Sequence, residues 1–323
     1  MLEHDKSNEP LISILMAVYE PKMDWLREQL VSLNSQTYQN IVINVIDDCS
    51  PTVLFNQIED CVAECITHFP YTFSRNKKNL GSNLTFEKLT VEAHGDYLAY
   101  CDQDDVWLPD RVERCFKKLK KTGSLLVCGD TYIIDAEGKR IAESITNMRP
   151  RHIFYEGCGL EKILLYRNFV VGCTMLVDAR TAKMAVPFVK SMVHDHYLAL
   201  YCSLNGSIAV CKEPVINYRI HNDNQTGVLS RIETKQDYYE KHLHVFTLRT
   251  EELRKRFSFC ELENAADWSS AREDNYYRRC GGLRHLWTTR RVNFTTSVFE
   301  LLLFRMPDFL FRFAVKFIKL GKI

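Results

Sequence analysis

The sequence predicts an α/β fold, a mainly parallel sheet flanked by helices, with a helical C-terminal extension. Three observations predict it. Short β-rich runs alternate with helix-like segments from Leu11 to about Val177. Two of those runs end in clusters of aspartate, and beyond Gly227 the texture changes to long polar and basic segments without a clear strand. Two regions follow, residues 1–227 as an α/β domain and residues 228–323 as a helical, basic C-terminal region.

The first β-rich run is "LISILMAV" (11–18). Behind it "MDWLREQLVSL" sets Leu26, Leu30 and Leu33 at i, i+4 and i+7, one face of a helix opening near Asp24. "IVINVIDD" reads as a second strand ending in Asp47 and Asp48. A helix follows "NLGSN", with Phe86, Leu89 and Ala93 on one face, and "DYLAYC" is the next strand. Pro109, with Asp110 and Glu113 behind it, marks another helix start. "DHYLALYC" opens a further helix with Asp195 as a candidate N-cap, and Val215 to Tyr218 is strand-like.

At 323 residues, 46% hydrophobic and 26% charged, the chain has the balance of a soluble globular protein. Its first ten residues lack the basic and apolar regions of a secretory signal, and no run approaches eighteen apolar residues, so a cytoplasmic location is expected. Twelve cysteines form no C-x-x-C pair, and Cys101, Cys128 and Cys173 sit in apolar runs as reduced core thiols do. The net charge of +1 hides an asymmetry: from Val228 onward 18 basic residues face 12 acidic ones. No nucleic-acid partner is expected.

The stretch "YCDQDDVWLPDR", Tyr100 to Arg111, drives a strand into three aspartates within four positions. Carboxylates so placed raise one another's pKa unless a cation neutralises them. A hard divalent ion with oxygen ligands does this, and Mg²⁺ is commonly held by one or two carboxylates plus substrate phosphates. In parallel sheets ligands bind outside the carboxyl ends of the strands, so Asp47, Asp48 and Asp102 to Asp105 can converge on one crevice.

Taken in order, "ISILMAVYEP", "QTYQNIVINVIDDCSP", "NLGSN" and "YCDQDDVWLPDR" resemble the family 2 glycosyltransferases, and the likeness extends over residues 11–227. The resemblance implies a GT-A type nucleotide-diphospho-sugar transferase fold and an inverting transfer supported by Mg²⁺ or Mn²⁺. It would put Tyr19 and Glu20 at the nucleotide end, with Asp48 on the base, Asp47 alongside and Asn79 in the same donor-binding set. Asp102-Gln103-Asp104 is similar to the D-x-D motif, with Asp102 near the ribose, Asp104 on the metal and Asp105 in support. "RNFVVGCTML" would place Gly172 beside the donor sugar. "SMVHDHYLAL" resembles the segment bearing the catalytic base, giving that role to Asp195, although His194 stands where Glu is frequent. "YRIHNDNQTG" resembles the closing motif, in which His221 completes the metal or diphosphate site and Arg219 and Asn224 are phosphate or loop partners.

The forms "DQDDVWLPD" and "YRIHNDNQTG" are most similar to bacterial enzymes that build rhamnose-containing surface polysaccharides. The implied donor is a UDP- or dTDP-sugar, dTDP-rhamnose among the candidates, and the implied acceptor a glycan hydroxyl, commonly lipid-linked. A sugar-nucleotide pyrophosphorylase would want a glycine-rich loop after the first strand, where this chain reads "VYEPKMDW". A non-catalytic carbohydrate-binding or scaffolding protein would have no reason to keep Asp104, Asp195 and His221 together. In "RMPDFLFRFAVKFIKLGKI", Arg305, Asp308, Arg312, Lys316 and Lys319 gather on one face of a helix begun near Pro307. Phe309, Leu310, Phe313, Phe317, Ile318 and Leu320 fall largely elsewhere, as in a helix that lies on an anionic membrane surface or packs within its own domain.

Overall fold

The computed structural model describes residues 9–221 and 232–319, without the side chains of residues 314 and 317–319. The strands are β1 (Ile12–Val18), β2 (Ile41–Asp47), β3 (Tyr71–Arg75), β4 (Tyr97–Cys101), β5 (Val106–Trp107), β6 (Leu126–Ile134), β7 (Arg140–Ala142), β8 (Leu176–Asp178) and β9 (Ile208–Arg219). They form one sheet in the order β3-β2-β1-β4-β8-β6-β9-β5, with β7 beside β6. The pairs among β3, β2, β1 and β4 are parallel, and β8 runs antiparallel to both β4 and β6. Strands β6 and β9 are parallel to each other as well, so antiparallel β8 joins two parallel parts and the whole sheet is mixed.

Helices on both faces explain the unbroken apolar runs of the central strands. Ile12, Ile14, Leu15, Met16 and Val18 of β1 are all buried. The helix Met23–Asn34 buries Leu26, Leu30 and Leu33, the face its spacing predicts. Each such leucine, fully withdrawn from water, contributes about 2 kcal/mol.

Register decides where the acids go. In β1, Val18 pairs with Asp47 of β2, while Met16 pairs with Cys101 of β4. Asp47-Asp48 and the loop 102–105 therefore leave the sheet at the same end, on either side of Tyr19. The four residues of that loop lead directly into β5, whose Val106 and Trp107 pair with Asn217 and Ile216 of β9. Strand β9 ends at Arg219, two residues before His221, so both ends of the acid loop are fixed to the sheet.

The chain divides into two units, residues 1–188 with 193–222, and residues 189–192 with 223–323. The boundary expected near Gly227 lies outside the described residues, as does Asn224. The described part of the second unit is helical: Lys235–Tyr238, His244–Arg254, Cys260–Tyr276, Gly282–Thr289, Phe294–Leu303 and Asp308–Lys319 are α-helices. Ile232, Tyr238, Leu243, Leu303, Phe304, Phe311 and Val315 form a core within it. The last helix therefore buries Phe311 and Val315, four residues apart and not singled out from the sequence, and leaves Phe309, Leu310 and Phe313 exposed. Leu320 lies outside the described residues.

At the centre of this unit Glu300, fully buried, accepts from Arg272 Nε at 2.9 Å and from the Tyr238 hydroxyl at 2.9 Å. Removing one partner of such a pair leaves the other charge buried and uncompensated. Glu300→Ala should destabilise the second unit by about 3–5 kcal/mol in denaturant titration, with Arg272 as the stranded charge.

Candidate active site

The acid loop begins at Asp102, where β4 ends. Asp102 and Asp104 are partly buried and Asp105 is fully buried. Burial, and then the charges of Asp104 and Asp195, push the Asp102 carboxyl up to about 7. Burial, and then Asp104 and Asp102, raise Asp105 as well. Asp105 Oδ1 accepts the Arg219 backbone N–H at 3.0 Å, whereas its Oδ2 is buried without a hydrogen-bond partner. Desolvated, mutually repelling carboxylates are relieved by positive charge placed nearby.

Two groupings of possible ligand atoms are seen around the acid loop. His221 Nε2 lies 2.7 Å from Asp104 Oδ2, and both side chains keep some exposure, 11% and 20%. Ligand atoms of Asp102, Asp105 and the Cys173 thiol all lie within 4.8 Å of one another. Cys173 is a buried thiol, as its apolar neighbours suggest, but its place beside two carboxylates had no signal in the sequence except adjacency to Gly172. All twelve cysteines are free.

Asp195 opens the helix His194–Asn205, and its carboxyl is pushed up to about 6 by burial, against hydrogen bonds from the His196 and Gly172 backbones and the Asn168 side chain. A Cβ at Gly172 would sit 3.2 Å from both Asp195 Cβ and Oδ2, closer than the carboxylate allows without shifting. A side chain there would make the carboxylate give by a few tenths of an ångström. Because Asp195 also raises Asp102, the segments around residues 102, 172 and 195 meet in one place.

His194 does not replace a catalytic carboxylate. Its ring lies between Phe86, 4.2 Å away, and Tyr100, 5.5 Å away, with neither nitrogen hydrogen-bonded, and burial depresses its pKa to about 3. It is a neutral aromatic filler of the core. His196 directs Nε2 to the Leu164 carbonyl.

At the other aspartate pair, Asp47 is buried, accepts from the Ser50 hydroxyl at 2.6 Å and pairs with Arg75 at 3.1 Å. Asp48 accepts from Asn76 Nδ2 at 2.8 Å, Leu80 N–H at 2.9 Å and Gly81 N–H at 2.8 Å. Three of its four acceptor positions are filled, so it shapes the exposed Asn79 loop and has one left for a ligand. Tyr19 is 44% exposed, and its backbone is tied to the Gln103 side chain in both directions, at 2.7 and 3.0 Å. Glu20 holds a left-handed backbone with φ 46°, uncommon outside glycine. Its carboxylate accepts from the Thr52 hydroxyl and N–H and from Val53 N–H, which hold its pKa below the ordinary value.

Arg219 is a loop partner. Its side chain is buried, with Nε donating to the Asp104 carbonyl at 2.9 Å, Nη1 to the Asp135 and Ala136 carbonyls, and Nη2 to Glu28. A guanidinium so engaged braces the acid loop. Two other braces were not recognised from the sequence. Arg111, fully buried and stacked 3.4 Å over Trp107, donates Nη2 to the carbonyls of Cys173 and Met175, fixing the turn that carries Gly172. Trp25 lies 4.9 Å from the His221 ring and donates Nε1 to the Ala136 carbonyl. Neither residue has a local pattern that reveals a contact across so much chain.

Residues 13–177 match the family model described as "Glycosyl transferase family 2", about half of the chain. The chain belongs to glycosyl transferase family 2. This family 2 glycosyltransferase is 26% identical over 263 residues to an uncharacterized glycosyltransferase of Methanocaldococcus jannaschii, covering 78% of this chain and 83% of that one. It is 24% identical to the dTDP-rhamnosyl transferase RfbG of Shigella flexneri over 66% of this chain and 73% of the relative. Among solved structures it resembles TarS of S. aureus in complex with UDP-GlcNAc, with a TM-score of 0.61, 14% identity and coverage of 97% and 92% of the two chains. It also resembles the mannosyltransferase PcManGT of Pyrobaculum calidifontis in complex with GDP-Man and Mn²⁺, with a TM-score of 0.56, 11% identity and coverage of 98% and 87%. The GT-A fold expected of the α/β domain is therefore present.

The contact between Gly172 and Asp195 gives a direct test of the turn. Gly172→Ala should lower the rate of sugar transfer by about tenfold or more while the melting temperature stays near that of the wild type, because a small misplacement of a reacting group is costly. Steady-state kinetics beside a thermal melt would check it.

Proposed function

We propose that this glycosyltransferase is an inverting, metal-dependent enzyme that moves a sugar from a UDP- or dTDP-sugar, dTDP-rhamnose among them, to a hydroxyl of a growing, lipid-linked surface glycan. The observation that carries the proposal is the Asp195 carboxylate, poised near pKa 6 against the Gly172 turn and within electrostatic reach of Asp102. The likeness to a dTDP-rhamnosyl transferase supports the donor class.

Asp195, ionised at neutral pH, takes the proton from the acceptor hydroxyl as that oxygen bonds to the anomeric carbon. The bond from that carbon to the leaving diphosphate breaks on the opposite face, which inverts the configuration and needs no covalent intermediate. Asn168 and the Gly172 N–H orient the base. Asp104 and His221 are the pair suited to a divalent cation, Mg²⁺ or Mn²⁺: an oxygen and an imidazole nitrogen face each other at 2.7 Å with some exposure, whereas Asp102 and Asp105 flank a buried thiol. Bound there, a cation offsets charge growing on the diphosphate. Asp102 faces the ribose, Asp48 offers its remaining lone pair to the base, and Tyr19, Glu20, Asp47 and Asn79 shape the nucleotide end. Arg219 holds the loop that presents these acids.

A peripheral membrane contact suits a lipid-linked acceptor. No described helix is long and apolar enough to cross a membrane. The helix Asp308–Lys319 exposes Phe309, Leu310 and Phe313 beside Arg312 and Lys316, the composition of a helix that rests in a headgroup layer.

The base role predicts a pH dependence. Asp195 works when deprotonated, so the transfer rate should fall as pH drops through about 6. Asp195→Asn should cost about a hundredfold or more in turnover with donor affinity nearly unchanged, and should abolish this acidic limb. Near-wild-type turnover in the variant would remove Asp195 from the mechanism.

A further inference from the structure

In the second unit a pocket of about 300 Å³ is lined by Arg278, Arg279, Gly281, Leu283 and Arg305. Its three guanidiniums are not equivalent. Arg279 is offset by Asp274 at 2.9 Å, a carboxylate that also meets His285 at 3.2 Å. Arg278 and Arg305 reach neutral oxygens instead: Arg278 Nη2 meets the Phe304 carbonyl at 3.3 Å, and Arg305 Nη1 meets Asn275 Oδ1 at 2.6 Å and the Leu301 carbonyl at 3.4 Å. Burial, with the neighbouring charge of Arg278, holds the Arg305 pKa below its ordinary value. Each guanidinium has five N–H donors, so these contacts leave several available.

The remaining wall adds to the positive field. Gly281, with φ 81°, precedes the helix Gly282–Thr289, which has no acidic residue in its first turn, so the positive end of that helix is at the pocket. Leu283, which lines the pocket, is 49% exposed, and Trp287, one turn along the same helix face, is 50% exposed. Leu302, three residues before Arg305, is 64% exposed. Two guanidinium forks and a helix start match phosphate oxygens, and large exposed apolar side chains beside them match a hydrocarbon chain.

We propose that this pocket binds the phosphate or diphosphate head of a membrane lipid, the shared chemistry of an anionic phospholipid and a lipid-linked acceptor. The inference deepens the lipid-linked reading above and rests on it for the carrier of the phosphate; the exposed face of the last helix plays no part in it.

The test is co-sedimentation of the full chain with phosphatidylcholine vesicles doped with phosphatidic acid, which presents a phosphomonoester, or with phosphatidylglycerol at equal charge. Wild type should prefer the phosphatidic acid vesicles by about tenfold or more. Arg278→Gln with Arg305→Gln should remove the preference. Leu283→Glu, an exposed position whose change leaves the arginine contacts intact, should remove it too and guards against misfolding of the double variant. Phe309→Ser with Phe313→Ser should weaken binding to both vesicles alike and keep the preference, and donor hydrolysis should be unchanged throughout. Equal wild-type binding to the two vesicles, or a preference that survives Leu283→Glu, would overturn the proposal. Inorganic pyrophosphate bound without vesicles at the affinity of the lipid would assign the pocket to a soluble anion and overturn the lipid source. Should the phenylalanine variant bind like wild type while Leu283→Glu loses the preference, the helix contact fails and the pocket stands.

Discussion

Arg219 is the interaction on which the arrangement of the site depends. One buried residue at the end of β9 holds Asp105 through its backbone N–H and the Asp104 carbonyl through Nε, while reaching the Asp135 and Ala136 carbonyls and Glu28. Four carboxylates, Asp102, Asp104, Asp105 and Asp195, would otherwise move apart to recover hydration and relieve repulsion. Arg219 and Arg111 prevent this from beneath, mostly through backbone carbonyls, so the repulsion is held in place for a ligand to relieve. Positive charge fixes the main chain, and one oxygen of buried Asp105 is left without a hydrogen-bond partner.

This division explains a pattern in the charged residues. Buried arginines such as Arg111 and Arg219 serve geometry, because a planar guanidinium with fixed donors can hold several carbonyls at once. Carboxylates with raised pKa values are the groups suited to chemistry, and under the proposed mechanism burial places Asp195 near the pH at which a base both exists and accepts a proton readily. In the second unit the same residue type takes both parts: Arg272 compensates Glu300 in the core, and Arg278 and Arg305 crowd at a pocket without a carboxylate between them.

Much of the α/β domain was legible in the sequence because its signals are local. Leu26, Leu30 and Leu33 declare a buried helical face, and the apolar run 11–18 declares a strand covered on both sides. The acids were legible as a group because three aspartates within four positions repel one another in any fold. Their partners were not. Arg111 and Trp25 act across 62 and 111 positions, on Cys173 and Ala136, and nothing local predicts such contacts. Arg219 was legible only as a phosphate or loop partner, since a basic residue beside such a motif looks the same in sequence whether it faces the ligand or the core. In the last helix the regular charges drew attention from Phe311 and Val315, the pair that docks it.

The central claim is that the acid loop is built to receive a divalent cation at Asp104 and His221. The most direct measurement is anomalous scattering from a crystal grown with Mn²⁺ and UDP. A single Mn²⁺ peak within coordination distance of Asp104 and His221 is the predicted result. A peak at Asp102, Asp105 and Cys173, or none beside a well-ordered UDP, would contradict it.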